Sequence, residues 1–190
     1  QSDRTMQAFM HEAMRYAVFA GGKRLRPAIA LLTAGIFKVG GDHAVALAAA
    51  VEMLHTATLI HDDLIDGALV RRGIETLNAN WSPSATVLTG DYVFAYAAYL
   101  AAKADNVRLM QRFSETLMII CDGEVQQMFN GRDGQISLQK YEQRIYAKTA
   151  SLIAMSAEAG PILAGTEEKT IEALRVYGEQ LGLAFQIVDD

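Results

Sequence analysis

Apolar residues recur at three- and four-residue spacing along most of the chain, with polar residues collected between the runs. That period predicts helices. Phe9, Ala13, Tyr16, Ala17 and Ala20 outline a first helix from about Asp3 to Ala20, closed by Gly21-Gly22, which tolerates the left-handed turn of a helix end. Pro27 suits the first turn of a second helix reaching about Lys38. Gly40-Gly41-Asp42 supplies a break and an N-cap for a third, Asp42 to about Ala68. This one is apolar on most faces and belongs in the centre of a bundle. Arg71 to Asn80 reads as a polar loop. Ser82-Pro83 opens a helix through Ala102, Asn106 opens another to about Asn130, and Asn130-Gly131-Arg132-Asp133-Gly134 is a turn. Ser137 caps the next helix, which Gly160-Pro161 is expected to end, and Thr166-Glu167-Glu168 starts the last. The apolar pattern Leu181, Leu183, Phe185, Ile187, Val188 runs to Asp190 without a stop signal, as it would in a fragment. With no alternating core strand, fixed repeat or dividing linker, the prediction is all-α: one helical bundle domain over residues 1–190, incomplete at its C-terminus.

A chain of 190 residues, 51% hydrophobic and 21% charged, can bury a core, which excludes a disordered segment. Its net charge of −5 argues against a nucleic-acid binder. The single cysteine, Cys121, excludes an intramolecular disulfide framework and a multi-thiolate metal site, and fits a reducing, cytoplasmic compartment. Gln1 to Met10 carries Asp3 and Arg4 with no apolar block, unlike a secretory leader. Tyr92 to Ala102, stopped by Lys103, falls short of the ~20 apolar residues of a membrane span, so a soluble protein without a transmembrane segment is expected.

The chemistry sits in two acidic clusters and a few cations. His61-Asp62-Asp63-Leu64-Ile65-Asp66 ends the central helix. Asp62 and Asp66 share a face, about 6 Å apart along the axis. Such carboxylates either gather around a divalent cation, Mg²⁺ suiting all-oxygen ligation, or pair with Arg71 and Arg72 at a solvated helix end. Gln186-Ile187-Val188-Asp189-Asp190 repeats the motif after a second apolar helix, which favours metal held between two facing helix ends. Lys23, Arg24 and Arg26 beside Gly21-Gly22 suit either an anion or, as the stretch taken alone favours, a solvated basic turn. Lys148-Thr149, inside an apolar stretch, requires a counter-charge or a snorkelling path. His55 lies seven residues before Asp62 and nearly on its face. Glu52 and His55 also match the Glu-x-x-His spacing of di-iron bundles, but no second copy occurs.

Taken in order, GGKRLRP at 21–27, EMLHTATLIHDDLID at 52–66, RRG at 71–73, LTGDYVFA at 88–95, GEVQQ at 123–127, KTASL at 148–152 and FQIVDD at 185–190 resemble the trans-isoprenyl diphosphate synthases, or polyprenyl synthetases. The resemblance implies an all-α bundle around a deep apolar cavity, usually a homodimer. It implies condensation of an allylic prenyl diphosphate with isopentenyl diphosphate, releasing pyrophosphate. Carried over by position, Asp62, Asp66 and Asp189 would bind Mg²⁺, with Asp63 and Asp190 in the same motifs. Lys23, Arg26, His55 and Arg72 would hold isopentenyl diphosphate, and Arg71, Lys148, Thr149 and Gln186 the allylic diphosphate. Small residues at Ala57 and Thr58, where short-chain members carry bulk, imply a medium or long product of roughly octaprenyl type. The alternatives are a class I terpene cyclase, which has no second diphosphate to hold, and a non-catalytic partner subunit of a heteromeric synthase, which tends to lose the aspartates.

Overall fold

The structure, a computed structural model, describes residues 13, 15, 21–130 and 137–189. Most of the expected first helix, the 131–134 turn and Asp190 lie outside the described residues. Eight α-helices follow from residue 25 on: α1 (Leu25–Ile36), α2 (Asp42–Ile65), α3 (Leu77–Asn80), α4 (Pro83–Ala102), α5 (Val107–Asn130), α6 (Leu138–Ile145), α7 (Ser151–Leu163) and α8 (Glu168–Asp189). The all-helical prediction holds. Two two-residue strands, β1 (Val70–Arg71) and β2 (Ile74–Glu75), pair antiparallel in register Val70 to Glu75 and Arg71 to Ile74.

The chain divides into two compact units, 1–24 with 52–99 and 25–51 with 100–190. The second is organised around α7, whose residues Ser151 to Ile162 are all buried. Its neighbours approach through small residues. A Cβ on Gly160 would stand 2.4 Å from the backbone of Thr33 and Ala34, so α1 lies directly against α7 there. On α8, Cβ atoms on Gly178 and Gly182 would meet Ala154 at 2.8 Å and Ala150 at 2.5 Å.

Gly160 is therefore a packing glycine, which corrects the expected helix end. The helix runs on through Pro161, an internal proline, to Leu163. Proline removes one late hydrogen bond of this helix, but the tight burial of the segment holds the helix together. The stop comes at Gly165, in the left-handed region at φ 64°. There the Gly165 N–H donates to Ile162 O at 3.1 Å and the Thr166 N–H to Pro161 O at 3.1 Å, a Schellman cap.

The run into α7 is not a plain α-helix either. Tyr146–Ala150, which includes Lys148 and Thr149, forms a π-turn between α6 and α7. A Cβ on Gly123 would stand 2.4 Å from Ala147 Cβ, so α5 passes against this widened turn. Ser137 caps α6 as expected, accepting from the Lys140 N–H at 3.2 Å.

In the first unit, α2 ends earlier than its apolar pattern implies. Gly67 takes φ 64°, the Gly67 N–H donates to Leu64 O at 3.2 Å and the Ala68 N–H to Asp63 O at 2.8 Å. Asp66 thus lies one residue past the helix, but its N–H still reaches Asp62 O at 2.8 Å, so the last turn keeps helical geometry. The expected loop after Arg71 contains the β1–β2 hairpin and α3 instead. Its two-residue turn, Arg72-Gly73, has positive φ at both positions, 52° and 78°, as hairpin turns matching strand twist require. Ser82 caps α4, accepting from the Ala85 N–H at 3.3 Å.

Among the described residues α2, not Tyr92–Ala102, is the helix long and apolar enough to cross a bilayer. Yet 56% of its most apolar window is buried inside the protein, as suits the core helix that the pattern predicts.

Gly160 and Gly165 should respond differently to substitution. Gly160→Val forces α1 away from α7 and should cost about 3 kcal/mol, the upper range of overpacking. Gly165→Ala meets no atom within 4 Å and should cost only the left-handed penalty of about 1–2 kcal/mol. Urea denaturation of the two variants checks the order.

Candidate active site

The first acidic cluster stands at the end of a patterned helix face. Along the part of α2 in the first unit, Met53, Leu54, Thr56, Ala57 and Ile60 are buried. Glu52, His55, Thr58, Leu59 and Asp62 are only half-buried, and Asp66 is exposed. At three- and four-residue spacing these form one accessible stripe, running from Glu52 past His55 and Thr58 to the two carboxylates. Thr58 donates its hydroxyl to His55 O at 2.7 Å. Ala57 has no accessible surface.

Asp63 points elsewhere. It is 2% exposed, and its Oδ1 accepts from Arg71 Nε at 2.7 Å. Of the two options open to the acidic cluster, Asp63 takes the pairing one. The adjacent Arg72 donates from Nη1 to Gly21 O at 2.9 Å, tying the hairpin turn to the Gly21-Gly22-Lys23 segment. A Cβ on Gly22 would sit 2.8 Å from that same Nη1, and Gly22 takes φ 130°, a backbone conformation that favours glycine. Arg24 forms an ion pair with Glu52. That pair gives Glu52 of the Glu-x-x-His spacing a purpose other than iron. Lys23 is exposed beside it.

The second unit holds the remaining expected residues. Thr149 is buried in the π-turn and donates to Gln186 Oε1 on α8 at 2.8 Å, so two residues assigned to one ligand do meet. Lys148 finds its required counter-charge in Glu124, Nζ to Oε1 at 3.8 Å. Both groups retain access to water, Lys148 at 45% exposure. Asp189 is exposed, one helical turn after Gln186 at the end of α8, and Arg26 is half-buried on α1. Asp62 and Asp66 belong to the first unit and Asp189 to the second.

No group of three His, Cys, Asp or Glu side chains is arranged to hold a metal ion among the described residues. Two carboxylates on one helical turn, Asp62 and Asp66, are nonetheless a fitting donor set for Mg²⁺. That ion is usually held by one or two carboxylates together with substrate phosphates, keeping several waters.

One polar cluster in the second unit went unread in the sequence. A cavity of about 290 Å³ is lined by Arg112, Glu115, Tyr146, Glu158 and Arg175 among others. Glu158, 4% exposed, accepts from Arg112 Nε at 3.2 Å and Nη2 at 3.0 Å. Burial pushes its carboxyl above the ordinary range, while the Arg112 guanidinium pulls it back. A single acid in the apolar run of α7 was the available signal. The π-turn and the hairpin were missed too, although the Arg72-Gly73 pair between apolar positions carried a hint of the latter.

The chain belongs to the polyprenyl synthetase family, whose model matches residues 7–190. It is 40% identical over 175 residues to an octaprenyl diphosphate synthase of Haemophilus influenzae, covering 92% of this chain and 53% of that one. Among solved structures it is similar to a decaprenyl diphosphate synthase from Rhodobacter capsulatus, with TM-score 0.91 and 41% identity over 95% of this chain and 56% of that one. A polyprenyl synthase from Caulobacter crescentus CB15, complexed with calcium and isoprenyl diphosphate, matches with TM-score 0.87 and 38% identity over 98% of this chain and 62% of that one. The chain spans about half the length of the curated relatives it matches.

The Asp63–Arg71 pair should be asymmetric. Arg71→Met strands a buried carboxylate and should cost about 3–5 kcal/mol. Asp63→Asn leaves Arg71, 30% exposed, able to turn to water and should cost less, about 1–3 kcal/mol. Equal losses in chemical denaturation would contradict the pairing.

Proposed function

We propose that the protein is a Mg²⁺-dependent prenyltransferase that condenses an allylic prenyl diphosphate with isopentenyl diphosphate, giving a longer trans-polyprenyl diphosphate and pyrophosphate. The observation that carries this reading is the accessible stripe on α2, ending in Asp62 and Asp66 beside the Arg71-Arg72 hairpin. Family membership supports it. So does the calcium and isoprenyl diphosphate reported for the Caulobacter relative.

In this reading Asp62, Asp66 and Asp189 bind Mg²⁺, with Asp63 and Asp190 in the same motifs. Bound there, Mg²⁺ supplies Lewis-acid stabilisation of the charge that develops on a departing diphosphate. Arg71, Lys148, Thr149 and Gln186 orient the allylic diphosphate, and the guanidinium and ammonium groups add fixed positive charge against the leaving oxygens. Asp63 holds Arg71 by its Nε, which aims the rest of the fork. The Thr149–Gln186 bond fixes one side chain against the other before ligand arrives, so less ordering is left for the reaction itself. Lys23, Arg26, His55 and Arg72 hold isopentenyl diphosphate, with Arg72 and Lys23 brought near each other by the hydrogen bond to Gly21. No protein nucleophile is required, because ionisation of the allylic C–O bond creates the electrophile. Apolar walls exclude water from the cation.

The names of the octaprenyl and decaprenyl relatives support a medium or long product. Of the two positions assigned to product length, Thr58 is the one on the accessible stripe, whereas a large side chain at Ala57 must displace packed neighbours. A homodimer in the cytoplasm completes the proposal.

The intact protein is incubated with Mg²⁺, labelled isopentenyl diphosphate and allylic primers of several lengths, and the products are resolved. A ladder ending near octaprenyl is expected, Asp62→Asn should lower kcat by about 10²–10³-fold, and Thr58→Phe should shorten the product. Failure to elongate any primer overturns the activity. Unchanged length in Thr58→Phe overturns the length assignment alone.

A further inference from the structure

His61 is the member of the first acidic segment to which the chemistry above gives no task. Its ring lies along a stripe of α4. Nε2 donates to Val87 O at 3.4 Å and stands 3.5 Å from Asp91 Oδ1, and the ring packs on Phe94 with centroids 5.3 Å apart. Between these contacts lies Gly90, where a Cβ would fall 2.3 Å from Nε2 and 2.7 Å from two ring carbons. Val87, Gly90, Asp91 and Phe94 are spaced three, four and seven residues apart, so one face of α4 is shaped around this imidazole. A glycine inside a helix costs about 1 kcal/mol relative to alanine. Here the missing Cβ is the space that the ring occupies.

The angular positions on α2 show what such a wedge would fix. At about 100° per residue, with His61 set at zero, Asp62 lies near 100°, Asp66 near 140° and Asp63 near 200°. The retained Asp66 N–H bond to Asp62 O keeps Asp66 on that count. Two residues thus anchor the turn from opposite sides, His61 on α4 and Asp63 on Arg71. The two carboxylates assigned to the cation project from the face between them. His55, near 120°, and Thr58, near 60°, continue that face backward.

We propose that His61 is a positioning residue: wedged into the notch left by Gly90, it sets the rotation of the last turn of α2 and hence the direction in which Asp62 and Asp66 present their oxygens. The proposal rests on the assignment of those two aspartates to a Mg²⁺-bound diphosphate. Groups that hydrogen-bond metal ligands directly commonly change metal affinity by 10–100-fold when removed; His61 acts on the two aspartates through the backbone of the turn, which places its effect at the lower end of that range. It divides the acidic segment into alternate tasks, anchors at 61 and 63 and presenters at 62 and 66.

The test is a mutant cycle in the intact protein, reading the Mg²⁺ concentration for half-maximal elongation, the KM for isopentenyl diphosphate and the thermal midpoint. His61→Ala should raise the Mg²⁺ requirement about tenfold or more, with the KM for isopentenyl diphosphate changed less than about twofold. His61→Gln, which keeps a donor for Val87 O, should recover most of the loss. Gly90→Ala should be damaging with His61 present and nearly neutral in the His61→Ala background, because the ring it strikes is gone. If folded His61→Ala and His61→Gln keep the wild-type Mg²⁺ requirement, or Gly90→Ala costs the same in both backgrounds, the proposal falls while the activity stands. If the wild type itself elongates nothing, the assignment beneath it has failed and both fall.

Discussion

Three carboxylates within one and a half turns repel one another, and the end of α2 is organised by how that repulsion is relieved. At about 6 Å, the axial separation of Asp62 and Asp66, and an effective dielectric of 20, such a pair is worth about 3 kcal/mol. Asp63, itself buried, is relieved by Arg71, in a contact that ties the first strand of the hairpin to the end of α2. Asp62 and Asp66 lie on the accessible stripe, and in the proposed reading a divalent cation held by these two carboxylates keeps coordination sites for phosphate oxygens. The hairpin turn places Arg72 in contact with the Gly21-Gly22 segment, so the cations expected at one ligand are tied to the carboxylates expected at the other.

The second unit solves a different problem. Lys148 and Thr149 must be polar in a helix that is otherwise core, and the π-turn gives them room. Such insertions widen a helix locally and occur often at functional sites. Gly123 against Ala147, and Gly182 against Ala150, let α5 and α8 approach the widened turn closely enough for Glu124 and Gln186 to reach Lys148 and Thr149. Removing either glycine would separate the backbones before any polar contact was altered directly.

Helix order was legible in the sequence because period, caps and breaks agree over long segments, whereas helix number was not: α3 lies in the expected loop, and the π-turn divides one expected helix into α6 and α7. Ser82 and Ser137 cap the helices they were expected to cap, and Lys148 has the counter-charge its setting requires. The readings that failed share a cause. Gly160-Pro161 was read as local punctuation, but its glycine answers a contact with Thr33 and Ala34, more than a hundred residues earlier. Gly90 likewise answers His61, on a different helix. Tertiary contacts of this kind leave no periodic trace. The Asp63–Arg71 pair, by contrast, is one of the two options that the acidic cluster offered. The acidic segment was visible as a cluster, but not which of its members is buried against Arg71.

Calorimetric titration of the intact protein with inorganic pyrophosphate, with and without Mg²⁺, tests most directly whether the tip of α2 binds diphosphate through a cation. Binding should require Mg²⁺ and weaken at least tenfold in the Asp62→Asn/Asp66→Asn double variant. Equal affinity without Mg²⁺, or binding unaffected by the double substitution, would contradict the account.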